Sequence, residues 1–307
     1  MKKIKNANLS LYMLILSASI FIFGVIFGSL YDLKIAQTIY HPHNFVSYYT
    51  EYVGTLPAAV IFSLSGILLF LYFKHNKKIK GASIYQYLSL LFVLLAGVIW
   101  GYDTLNNHLP NKIYAVLIGI VVIIPFSYLF YLDLKRKYSD DFLRLALIII
   151  CSTLLSFILT FGLKYLIVRP RFYYLLDIDR LDLFKNWYSF SIDKSIYPSV
   201  TDSTFIQSWP SGHSNFASLN HLILIFPFIK KNKVNKHLIY TIITIYSILI
   251  MAGRMIDGHH FLSDVSFGYF IGTASCYLFM ITLSKKEKTN IKVNIDTLTN
   301  GLINTNL

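Results

Sequence analysis

The sequence predicts an all-α, polytopic membrane helical bundle of about eight transmembrane helices. Three observations carry that reading. Only 14% of the 307 residues are charged, 55% are hydrophobic, and the mean hydropathy is +0.55; soluble domains carry about 25% charged residues. Apolar runs of roughly 20 residues, the length that crosses about 30 Å of hydrocarbon, recur along the chain. Its basic residues also collect in every second connection between those runs.

The runs lie near residues 9–30, 54–73, 84–104, 113–132, 142–165, 214–230, 237–256 and 261–283. The first has a basic start but no small-residue cleavage site after it, so it is expected to be a retained span. Gly66, Gly97 and Pro125 fall inside runs, where membrane helices tolerate them. The sixth run is short and holds Pro227 near its end.

Placing the N-terminus in the cytoplasm puts Lys2, Lys3 and Lys5 inside, with Lys74, Lys77, Lys78, Lys80, Lys135, Arg136 and Lys137. It adds Lys230, Lys231, Lys233, Lys236, Lys285, Lys286, Lys288 and Lys292, making 18 of the 28 Lys and Arg residues. Eight lie outside: Lys34, Lys112, Arg169, Arg171, Arg180, Lys185, Lys194 and Arg254. This is the asymmetry of the positive-inside rule, so the net charge of +13 reads as a topology signal. No finger-like spacing points to nucleic acid. Cys151 and Cys276 fall in apolar runs and suggest neither a disulfide framework nor a metal site.

Three parts follow. Residues 1–141 hold four leading spans. Residues 142–284 hold four more and a long outer loop over 172–209, whose length suggests a lid or binding element. Residues 285–307 form a cytoplasmic tail. The outer segment 31–53 is expected to lie along the membrane surface.

The chemistry gathers in the second part. Lys164 and Arg171 are seven apart at the end of the fifth span, with Arg169 and Arg171 flanking Pro170. An ammonium and guanidinium forks suit phosphoryl oxygens. Pro210, Ser211, Gly212 and His213 precede the sixth run, where helix-start donors, a glycine and a hydroxyl favour an anion beside an imidazole able to give a proton. In the last cluster His260 and Asp264 are i,i+4 and face each other. Asp264 accepting from one ring nitrogen leaves the other to attack or to take a proton. His259 has Ser263 four residues on and lacks that partner. Arg254 reaches the same place only if Asp257-Gly258 turns the chain back. The outside orientation puts all three clusters on one membrane face. Cations outnumber the carboxylates, which favours phosphate over a metal, and no cofactor is expected.

The three clusters together resemble the signature motifs of the type 2 phosphatidic acid phosphatase superfamily of integral-membrane lipid phosphatases. Lys164-x6-Arg171 resembles the first, with Phe172 where the family has proline. Pro210–His213 is the complete second. Arg254, His260 and Asp264 keep the spacing of the third, with Gly253 where the family has serine. The resemblance covers roughly residues 143–283; the family's usual architecture has six spans, so eight implies an extended member.

The resemblance implies His260 as a nucleophile forming a phosphohistidine, Asp264 orienting it, and His213 protonating the leaving group. It implies Lys164, Arg171, Ser211, Gly212 and Arg254 as holders of the phosphoryl oxygens. The expected partner is a membrane lipid phosphate within the bilayer, undecaprenyl pyrophosphate first, with phosphatidate or phosphatidylglycerophosphate as alternatives. A lipid phosphotransferase uses the same residues. A transporter fits less well, because the leading spans hold few buried charges, though Asp103 suits either scheme. The sequence carries no signal for oligomeric state.

Overall fold

The computed structural model describes residues 2–105, 109–189, 196–197, 203–225 and 235–281. The tail 285–307, the end of the sixth run with Pro227, Lys230, Lys231 and Lys233, the last residues of the eighth run, and loop positions 190–195 and 198–202 lie outside those residues.

The described chain is helical. In order come α1 (Lys2–Ile39), α2 (Phe45–Tyr52), α3 (Leu56–His75), α4 (Ala82–Leu88), α5 (Leu90–Leu105), α6 (Lys112–Leu134), α7 (Phe142–Leu166) and α8 (Phe172–Asp177). After them come α9 (Gly212–Leu219), α10 (Lys236–Ile256) and α11 (Leu262–Ile281). Asparagines start three of them. Asn44 accepts from Ser47 N at 2.9 Å, Asn111 from Ile113 N at 2.8 Å, and Asn235 from His237 N at 3.1 Å. Each satisfies an amide that a helix start leaves unpaired.

Among the described residues, seven helical segments are long and apolar enough to span: Ile15–Ile39, Phe45–His75, Ala82–Leu105, Lys112–Leu134, Phe142–Leu166, Lys236–Ile256 and Leu262–Ile281. The protein is multi-pass. The expected sixth span differs: α9 ends at Leu219 and gives way to a 3-10 helix over Asn220–Ile225. Ser214, Asn215, Ser218, Asn220 and His221 are all buried there, so this segment faces protein rather than lipid. The expectation for residues 31–53 also needs correction. The first helix continues to Ile39 and only α2 follows as a separate short helix.

The largest apolar core joins α3, α5 and α7 through Leu64, Leu68, Val93, Ala96, Leu145 and Ile149, and it reaches Leu219 and Leu222. Small residues bring α5 and α6 together: a Cβ on Gly119 would lie 2.1 Å from the Gly97 carbonyl oxygen, and one on Gly97 would lie 2.6 Å from Ile120 Cα. Gly97 and Gly101 form the small-xxx-small stripe through which membrane helices approach closely.

The outer loop is built into the fold. Its two ends pair: Arg169 N donates to Ile206 O, Arg171 N to Phe205 O and Ser208 N to Arg169 O, each at 2.9 Å. Tyr174, Tyr197 and Ile206 pack with Val168 in a small core beneath it.

Candidate active site

The site forms where the ends of α7, α10 and the starts of α9 and α11 meet. Lys164 occupies the last turn of α7; its ammonium is buried and donates to Gln207 O at 2.7 Å. Arg171 is the residue before α8. Its Nε has no hydrogen-bond partner among the described residues, and burial with the nearby Arg254 lowers its pKa. Ser211 caps α9, accepting from Ser214 N at 3.4 Å and Ser214 Oγ at 3.0 Å, which leaves its own proton available to a ligand. A Cβ built on Gly212 meets nothing within 4 Å. The open space above this helix start is where an anion could approach the backbone.

The turn between α10 and α11 is present. Gly258 has φ +73°, a left-handed conformation that glycine adopts without strain. Gly258 N donates to Met255 O at 3.0 Å, and His260 N donates to Arg254 O at 3.1 Å. Arg254 thereby returns over the site, with Nη1 2.8 Å from Asp257 Oδ2 in an ion pair whose angle is not that of a hydrogen bond. Burial opposes the charge of Asp257, but Arg254 and His259 outweigh it and hold the carboxyl below its usual range.

His260 is 2% exposed, and its Nδ1 lies 2.7 Å from the backbone carbonyl of Ser208. A carbonyl only accepts, so Nδ1 carries the proton of the neutral ring and Nε2 keeps its lone pair. Burial, then Lys164, Arg171 and Arg254, push the His260 pKa well below the ordinary value. His213 is also driven well below it, by burial and then by Arg254 and the neighbouring histidines; its Nε2 is buried without a partner among the described residues. His259 stands aside, its ring 4.8 Å from Tyr173 and its Nδ1 2.9 Å from Asp257 Oδ1.

Asp264 departs from the expected geometry. Its Oδ2 is 3.9 Å from His260 Nδ1, beyond a hydrogen bond. That oxygen instead accepts from Ser208 Oγ at 2.5 Å and Phe261 N at 2.8 Å, while Oδ1 pairs with Arg169. The carboxylate caps the start of α11 and holds the segment whose carbonyl fixes His260.

Arg169 also differs from its sequence grouping with the anion-binding cations. It is fully buried, reaches Asp264 through Nη1 and Asp32 through Nη2 at 2.8 Å, and donates from Nε to Lys185 O at 2.8 Å. Its guanidinium lies 4.4 Å from the centre of the Phe261 ring. With both carboxylates engaged, it is structural cement beneath the site. Asp32 is the residue the sequence reading missed. It lies two positions past the first expected span, inside α1, and accepts from Ser263 N at 3.1 Å. A lone carboxylate at the end of a membrane helix is the signal that could have flagged it.

A family model described as the PAP2 superfamily matches residues 145–288. This part of the chain is a PAP2 domain. No curated protein and no solved structure gives a significant match. Among the described residues, no three His, Cys, Asp or Glu side chains group as a metal site requires.

Gly253 and Phe172, the two positions at which the sequence departs from the motifs it was expected to resemble, sit where the leading helices touch the matched region. A Cβ on Gly253 would lie 2.2 Å from Thr50 Oγ1 of α2, so Thr50 fills the space a serine would need. Phe172 is buried against Ala36 and Phe261, with Tyr40 edge-on at 5.3 Å between ring centres.

Proposed function

We propose that this protein hydrolyses a lipid phosphate or pyrophosphate at the extracytoplasmic membrane face without a metal, through a phosphohistidine. The PAP2 domain supports a phosphatase-type hydrolase in general. The observation that carries the finer reading is His260: neutral, with Nδ1 pinned to the Ser208 carbonyl and Nε2 available, beside Lys164, Arg171 and Arg254.

In the first step Nε2 forms a bond to phosphorus, and the bond from phosphorus to the leaving oxygen breaks. That oxygen takes a proton from His213. A phosphate dianion offsets the cations that depress the His213 pKa, so substrate binding itself favours the protonated ring. Lys164, Arg171, Arg254, the Ser211 hydroxyl and the Gly212 amide hold the equatorial oxygens as charge redistributes. In the second step water attacks phosphorus and gives a proton to His213, and the bond from Nε2 to phosphorus breaks. Asp264 acts through Ser208 and the start of α11.

The distribution of lysine and arginine supports an outward-facing site with cytoplasmic termini. Undecaprenyl pyrophosphate is the first substrate to test, followed by phosphatidate and phosphatidylglycerophosphate. Purified protein in micelles with a chelator is expected to release phosphate from one of these lipids; activity that vanishes on chelation contradicts the metal-free route. His260→Ala is expected to lose at least about 10³-fold in turnover, on the scale of removing a transition-state contact; near wild-type turnover removes His260 as nucleophile. Product analysis with an added alcohol separates hydrolysis from phosphotransfer.

A further inference from the structure

The short helix that begins beside the phosphate site, α9, is gripped by three neighbouring helices. Asn215 of α9 is fully buried, and Ser156 Oγ of α7 donates to its Oδ1 at 2.5 Å. Asn215 Nδ2 returns a bond to Ser156 O at 3.4 Å. From α10, Ser247 Oγ shares its proton between Ile243 O at 2.9 Å and Ala217 O of α9 at 3.2 Å. On a third side α11 presents two glycines, one and two turns after Asp264. A Cβ on Gly268 would lie 2.2 Å from Ser211 O, and one on Gly272 would lie 2.6 Å from Asn215 O and Oδ1. Ser211 N also donates to Asp264 O at 3.0 Å.

Each gripping helix also brings a group to the phosphate site: Lys164 on α7, Arg254 on α10, and His260 just before α11. Apolar packing alone lets one helix slide along another, because one Leu or Ile contact is much like the next. A buried amide is different, since it costs free energy unless its own partner stands opposite. A single buried asparagine fixes helix register in coiled coils for this reason. Ser156 lies eight residues before Lys164, about 12 Å of helix. The Asn215–Ser156 pair therefore sets how far the start of α9 stands from the Lys164 ammonium. His213 and Asn215 are two residues apart and leave the helix on different sides, so Asn215 holds α9 from behind.

We propose that Asn215 is a positioning residue for the reaction. By gripping Ser156 it holds α9 in register, and with it the Ser211 hydroxyl, the Gly212 amide and the His213 imidazole. Neither Asn215 nor Ser156 belongs to the three motifs. The inference rests on the reading of the α9 start as part of the phosphate site. Displacing a catalytic group by about 1 Å can cost about 10²-fold in rate. The cost here depends on the leaving group. An alkoxide needs the proton that His213 gives, whereas p-nitrophenolate leaves without one, so a shifted α9 harms the first reaction more.

The test uses the full chain in nonionic micelles and takes the ratio of kcat/KM for an alkyl phosphate to that for p-nitrophenyl phosphate. In Asn215→Leu this ratio is expected to fall at least about tenfold, part of the loss that a 1 Å displacement brings. A variant that is merely less stable loses active enzyme, which lowers both values alike; an unchanged ratio overturns the proposal. Ser156→Ala is expected to lower the ratio in the same direction, and it decides if Asn215→Leu fails to fold. The double variant should fall no further than Asn215→Leu, since the two residues act as a pair; additive losses overturn the pairing. Calorimetric binding of inorganic phosphate needs no turnover. It is expected to weaken at least about threefold in both variants, the scale of one impaired hydrogen bond. Absent hydrolysis with weakened phosphate binding sinks the phosphatase reading alone; hydrolysis with an unchanged ratio sinks the positioning role alone.

Discussion

The α5–α6 pair and the α1–α2 segment both precede the PAP2 domain, yet they attach to the rest of the protein by different physics. By burial alone they look alike: 22% of the most apolar window is buried both in Lys112–Leu134 and in Ile15–Ile39, against 56% in Leu262–Ile281. Where α6 packs on α5 its inward face is Ala115 and Gly119, with Ile123, Ser127 and Leu134 also buried, while Ile113, Leu117, Ile118 and Leu129 turn outward. α1 and α2 instead reach the domain with chosen groups. Asp32 meets Arg169, Tyr40 meets Phe172, and Thr50 fills the space above Gly253. The difference teaches that leading helices can be lipid-facing walls or parts of the site's foundation. A hydropathy profile does not separate the two.

The sharpest way to break this comparison is through the buried ion pair. Asp32→Asn leaves Arg169 with one carboxylate in a water-free setting, and breaking such pairs costs about 3 kcal/mol or more. The expected outcome is a lower unfolding temperature in micelles, with kcat reduced more than KM because Ser263 and Asp264 lose their frame. An equal change on replacing an outward-facing α6 residue such as Val121 would erase the distinction.

Gly253→Ser tests the second contact. Restoring the residue found in the family motif is expected to destabilise this protein by about 1–3 kcal/mol, the usual cost of overpacking. Thr50→Ala should recover part of that loss in the double variant. Additive effects would show that Thr50 is not the reason glycine stands there.

A smaller effect concerns acid. His213, His259 and His260 all have pKa values pushed down by burial, to about 4 for His259. Between those values and about 6.5 the unfolded chain binds protons that the folded chain refuses, so stability falls as pH drops through this window. Each histidine contributes up to about 1.4 kcal/mol per pH unit. Unfolding midpoints at pH 7.5 and 5.5 should show the drop, and His259→Gln should make it shallower; a flat profile contradicts it.

The mildest prediction concerns Asp103. Asp103→Asn removes a carboxylate that interacts electrostatically with Arg254, Lys164 and Arg171, so inorganic phosphate or vanadate should inhibit more tightly, by up to about fivefold. Weaker inhibition would place Asp103 among the groups that assist anion binding.

Much of this was legible beforehand, for identifiable reasons. The i,i+4 spacing of His260 and Asp264 and the turn at Asp257-Gly258 are local geometry, and both occur at the α10–α11 junction. The apolar runs mark seven spanning segments because length and hydropathy are properties of composition. What failed was anything decided by a distant partner. The sequence pairs Arg169 with Arg171 as neighbours, whereas Asp32, 137 residues away, holds Arg169 in a buried ion pair instead. It pairs His260 with Asp264, whereas the acceptor is a main-chain carbonyl at Ser208, an atom that every residue type carries. The change to 3-10 geometry after Leu219 likewise depends on what surrounds the segment.

The Asp32–Arg169–Asp264 bridge also bears on where this protein can be cut. A fragment beginning at 142 would contain the complete PAP2 match and every motif residue, yet one of the two counter-charges of a fully buried guanidinium would stay behind on the discarded piece. The unit that recurs among relatives and the unit that can balance its own interior charge therefore have different boundaries.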